Sequence, residues 1–74
     1  MLDLSTAHAP SDSPDFGELR VARHEYGWIV FVQPASNAPA WLTPIHVLAV
    51  QNDCILINFD RDGPCVDGLP TYEW

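Results

Sequence analysis

The sequence predicts an α+β fold, a small two-layer domain with three to four strands in a mixed sheet and two short helices against it. Two apolar runs, Trp28 to Val32 and Cys54 to Phe59, are rich in β-branched and aromatic residues and read as strands. Between them Trp41, Leu42, Ile45, Leu48 and Ala49 recur at helical spacing. Ahead of them Leu2 and Leu4 alternate with Asp3 and Ser5, the period-two pattern of a strand with one covered face.

Taken in order, the first strand spans Leu2 to Thr6 and leads into Ala7 and His8. Ser13-Pro14-Asp15 then reads as an N-cap, a proline at the first helical position and an acid in the first turn. That predicts a short helix with Phe16, Leu19 and Arg23 on one side, Ala22 beside them and Gly27 as its stop, although Gly17 weakens it. The run Trp28 to Val32 shows no polar alternation and ends at Pro34, as expected of a central strand covered on both faces or of one whose second face meets a partner. Pro44 constrains the second helix: either Thr43 caps a helix beginning at Pro44, or one loose turn from Pro39 precedes it. The helix stops at Gln51-Asn52-Asp53, and the strand Cys54 to Phe59 completes a β–α–β order, which requires a right-handed crossover if the two strands are parallel neighbours. Turns follow at Asp60 to Pro64 and at Asp67-Gly68, and Thr71 to Trp74 reads as a fourth short strand.

A chain of 74 residues implies a single domain spanning 1–74, with little stability to spare for a strained, enclosed cleft. Its 47% hydrophobic residues, with three tryptophans among them, are nevertheless those of a folding chain. Ten carboxylates face three arginines, Arg20, Arg23 and Arg61, and there is no lysine, so the formal net charge is −7. Such a field repels phosphate backbones and anionic membranes and attracts basic protein surfaces. The expected partner is therefore the basic surface of a protein or ribonucleoprotein complex, with no direct nucleic acid and no membrane. The plainer reading of the same charge is solubility. No charged segment followed by an apolar one opens the chain and no apolar run approaches a membrane span, which predicts a cytoplasmic protein, monomer or dimer, with Cys54 and Cys65 reduced.

The strand end Asn58-Phe59-Asp60-Arg61-Asp62-Gly63 resembles the nucleophile motif of the haloacid dehalogenase phosphatases, in which Asp60 would attack phosphorus, Asp62 would act as acid and base, and magnesium would neutralise the charge. Pro64 replaces the threonine of that motif, and the chain has no lysine. The same stretch fits the start of a calcium loop, with Leu69 at the position that needs a bidentate glutamate. The plainer reading is a tight turn in which Asp60 and Asp62 accept backbone hydrogen bonds and Gly63 takes a positive φ. His8, His24 and His46 share no metal-ligand spacing with either cysteine. We therefore expect no enzyme and no cofactor, with a metal-dependent phosphatase at Asp60 and Asp62 as the alternative. Tyr26, Trp28, Trp41, Tyr72 and Trp74 are more large aromatics than so small a core easily buries, although the plainer reading is that most of them are core or half-core. The turn and tail concentrate acid beside such rings, making Asp60, Asp62, Asp67 and Glu73 the candidate partner-binding residues, with Trp74 as anchor.

Four segments carry a family resemblance: Ser5-Thr6-Ala7-His8, Glu25-Tyr26-Gly27-Trp28, the strand end Phe59-Asp60, and the tail Gly68-Leu69-Pro70-Thr71-Tyr72-Glu73-Trp74. Together they resemble a small family of unknown function encoded on prophages, plasmids and genomic islands. Its members tend to end in Gly-Leu-Pro-Thr-aromatic-x-Trp and to lie near toxin–antitoxin or defence genes. The resemblance implies a mobile-element setting and no catalytic residues. By setting and charge it suggests an anti-CRISPR-like inhibitor of a host defence complex, with an antitoxin-like or phage structural protein as the alternative.

Overall fold

A computed structural model of the chain describes residues 1–11 and 14–73. Its elements are β1 (Leu2–Ser5), a 3₁₀ turn (Thr6–His8), β2 (Val21–His24), β3 (Gly27–Phe31), α1 (Thr43–Gln51) and β4 (Leu56–Asp60). The strands form one mixed sheet in the order β1-β4-β3-β2. β1 runs parallel to β4, and β3 is antiparallel to both β4 and β2. This is the α+β domain expected, with one α-helix among the described residues in place of two.

The first of the two expected helices is absent for local reasons. Gly17 takes φ +61°, and the Asp15 carboxylate accepts the Gly17 N–H at 2.8 Å, a side-chain turn that competes with helix formation. Val21 to His24 instead pair along β3 as an edge strand. Gly27 is therefore no helix stop. It closes a two-residue hairpin loop, Glu25-Tyr26, opposite His24. Ser13, the expected cap, lies outside the described residues. The expected helix positions Phe16 and Leu19 still turn inward, Leu19 buried and Phe16 packed against the core.

The second helix forms by a combination of the two starts expected. Leu42 and Thr43 donate to the Pro39 carbonyl in a preceding turn, and Pro44 occupies the first turn of α1, where a missing N–H costs nothing. Thr43 does not cap the helix; Leu42 stands at the cap without a side-chain bond, and the Thr43 hydroxyl donates back to Pro39 O at 3.1 Å. The strands flanking α1 are neighbours, but antiparallel, so no β–α–β crossover exists between them. The parallel partner of β4 is β1. Residues 71–73 form no strand, and Trp74 lies outside the described residues; one bond, from Tyr72 N–H to Ala7 O at 2.7 Å, ties the tail to the 3₁₀ turn.

Register places Leu4, Phe59 and Trp28 in one cross-strand row and Leu2, Ile57 and Val30 in the next, all on the face covered by α1 through Leu42, Ile45 and Ala49. Phe16, Trp28, Phe59 and Trp41 close a ring of aromatic contacts with centroids 5.6 to 6.0 Å apart. Each such pair adds about 0.5–1.5 kcal/mol beyond its buried area. The opposite face carries Asp3, Asn58, His24, Ile29 and Phe31, none of them fully buried. Across it Asn58 donates to Asp3 Oδ1 at 3.0 Å and accepts from His24 Nε2 at 2.8 Å, which laces three strands with one polar row. The apolar run of β3 is thus central in the sheet but covered on one face.

Candidate functional site

Both parallel strands end at the same edge of the sheet, β1 at Ser5 and β4 at Asp60, and a cleft of about 480 Å³ opens there. Ligands of parallel sheets sit outside the carboxyl ends of the strands, and this volume is within the range of ligand sites. Ser5, Thr6 and Ala7 line it from the end of β1, and Glu25 to Trp28 from the hairpin and the start of β3. Arg61 follows β4, and Tyr72 comes from the tail.

Backbone contacts hold these pieces together. The Arg61 N–H donates to Tyr26 O at 2.9 Å and the Ser5 N–H to Pro64 O at 2.8 Å. A Cβ on Gly27 would run into the carbonyl of Phe59, and one on Gly63 into the carbonyl of Leu4. Gly63 is therefore needed for close approach. The positive φ expected of it is not found; the positive-φ glycines among the described residues are Gly17, Gly27 and Gly68.

His8, 1% exposed, clasps the tail. Its Nδ1 lies 2.7 Å from the Pro70 carbonyl, to which it can only donate, and its Nε2 accepts the Val66 N–H at 3.0 Å. A neutral imidazole in that tautomer satisfies both partners. Tyr72 is thereby carried to the cleft.

Rings and charges meet at the cleft. The Arg61 guanidinium carbon stands 5.2 Å above the ring of Tyr26, which is 41% exposed. Trp28 is core, 4% exposed, and its indole N–H has no acceptor among the described residues. Of the candidate surface aromatics among the described residues, Tyr26 is exposed, Trp41 and Tyr72 are half-buried and Trp28 is core, close to the plainer reading that most of them are core or half-core.

The candidate acids take different places. Asp60 is half-buried at the end of β4 and its carboxylate accepts the Asp62 N–H at 2.9 Å, the tight turn expected there. Asp62, Asp67 and Glu73 are exposed. Asp60 and Glu73 are chain neighbours of the lining residues Arg61 and Tyr72, whereas Asp67 sits in the loop held by His8 and is not part of the cleft lining. Trp74 falls outside the described residues. Glu25, Tyr26 and Arg61 were absent from the candidate site residues; the signal for the first two was their place in the motif Glu25-Tyr26-Gly27-Trp28.

Among the described residues no group of three or more His, Cys, Asp or Glu side chains is placed to hold a metal ion, and no helix is long and apolar enough to cross a membrane. Cys54 and Cys65 are free thiols. Among curated proteins and among solved structures nothing matches the chain. Three of the four segments behind the family resemblance, far apart in sequence, supply lining residues to this cleft, and the fourth, Phe59-Asp60, leads into the lining residue Arg61. The model of the family of unknown function DUF5983, described as its C-terminal domain, matches residues 1–74, so the chain belongs to that family.

Proposed function

We propose that this domain is a small acidic protein-binding inhibitor of a mobile genetic element, covering the basic nucleic-acid-binding surface of a host defence complex in the manner of anti-CRISPR proteins. The observation that carries the reading is the cleft itself, where Tyr26 and Tyr72 share the lining with Glu25, and Asp60 and Glu73 adjoin lining residues along the chain, on a chain of net charge −7. An acidic field of this size competes with phosphates for a basic groove, and rings supply the desolvated anchor that charge alone lacks. The acid and the rings act at different stages, the first on encounter and the second on residence.

Affinity capture from a lysate of the bacterial host, followed by mass spectrometry, tests the proposal. Recovery of a basic nucleic-acid-handling complex that elutes as salt is raised supports it. Recovery of a toxin alone, or of no such complex, overturns it and leaves an antitoxin-like or structural role.

A further inference from the structure

We propose that the cleft seats an arginine side chain of the partner on the ring of Tyr26, and that Arg61 occupies this seat in the free protein. The proposal rests on the reading of the cleft as a protein-binding site and names the group bound there. Each arginine of the chain lies over a ring: Arg20 over Phe31 and Arg23 over Trp28 at 5.9 Å, Arg61 over Tyr26 at 5.2 Å. Only the last pair has both members in the cleft. The Arg61 N–H to Tyr26 O bond fixes the two backbones against each other, so the guanidinium is presented to the ring by the fold.

The seat suits a guanidinium by its chemistry. A planar, weakly hydrated cation stacks on a ring face at small desolvation cost, where an ammonium loses more of its hydration. Glu25 lines the same cleft and supplies a carboxylate for the fork of N–H donors. Arg61 is exposed and on a flexible stem, so it can swing out and leave the ring to an incoming arginine. An anion seated on Arg61 would instead have to enter beside Glu25 against the field of the whole chain.

The two ligand classes predict opposite signs for one substitution. The probe is a short acetylated and amidated peptide with two arginines separated by glycine, titrated into the wild type, Arg61→Gln, Arg20→Gln and Tyr26→Leu, with the lysine version of the peptide in parallel. Removing the internal occupant tightens arginine-peptide binding about fivefold, as loss of one competing ring contact implies. Arg20→Gln makes the same change in net charge away from the cleft and shifts affinity less than twofold. Tyr26→Leu weakens the arginine peptide about fivefold and the lysine peptide less. Weaker binding by Arg61→Gln, or equal effects of Arg61→Gln and Arg20→Gln, overturns the seat; if binding then still falls with salt, the acidic docking surface survives without it. No binding by any variant also overturns the seat, and the docking surface falls with it only if capture from lysate fails too.

Discussion

The two ends of the sheet are built differently. At the cleft end the chain meets itself backbone to backbone: Gly27 lies against Phe59, Gly63 against Leu4, and bonds from Ser5, Arg61 and Tyr72 join loops that are distant in sequence. At the other end Met1, Phe31, Val50 and Ile55 are exposed, Ile55 at 74%, and Val50 and Ile55 line a shallow groove of about 250 Å³ with Val32, Pro34, Asp53 and Cys54. A contact between two backbones tolerates no added atom, whereas an exposed side chain can be exchanged with little effect. Constraint on the sequence is therefore concentrated where the cleft is.

The largest effect is expected from Gly27→Ala. The new methyl group forces β3 away from β4 and destabilises the domain by about 3 kcal/mol or more, a large share of what a chain this small has. Chemical denaturation followed by circular dichroism reads it, and an unchanged midpoint would mean that the two strands are not packed as described. Next is His8→Ala, which strands the Val66 N–H and the Pro70 carbonyl and leaves a cavity. A cost of about 2–4 kcal/mol follows, with faster proteolysis after residue 64 as the local signature.

Charge reversal at the exposed Asp62 sharpens the contrast in another way. It leaves stability within about 0.5 kcal/mol and slows association with a basic partner severalfold, an effect that fades as salt is raised. Stopped-flow or surface-binding kinetics would contradict the cleft end as docking surface if only dissociation changed. The smallest effect belongs to Ile55→Ser at the apolar end. With most of its side chain already in water, melting should shift by no more than about 0.5 kcal/mol equivalent, and a larger loss would show that this end is covered in solution.

How much of this was legible in the sequence follows the range of each interaction. β1, β3, β4 and α1 were readable because periodicity and β-branching are local properties, and each boundary fell within two residues of its expected place. β2 was not, because Phe16, Leu19, Ala22 and Arg23 fit a helical spacing and Glu25-Tyr26 lacks the Asn-Gly signature of a tight hairpin. Only pairing with β3 decides between the two. Pairing direction was equally hidden, since β3 and β4 carry the apolar pattern of strands in either orientation. At the site, the turn at Asp60 and Asp62 could be read from its residues, whereas the seat of Arg61 on Tyr26 depends on two chain segments meeting through a backbone bond.

The parallel pair of β1 and β4 also sets an order in time. Leu2 pairs with Ile57, so the whole length of the chain between them must be closed into a loop before that ladder exists, while the hairpin of β2 and β3 needs only two intervening residues. Loop closure grows costlier with length, and non-local pairing is slow. The hairpin can therefore form early, β4 can add to it once α1 has turned the chain, and β1 with the tail clasped by His8 comes last. A pulse of hydrogen exchange during refolding should find the amides of β3 protected before those of β1. The cleft, whose walls come from the end of β1 and from Tyr72, is then the last part of the fold to close, and it has no complete wall until residues as far along the chain as Tyr72 have joined the sheet.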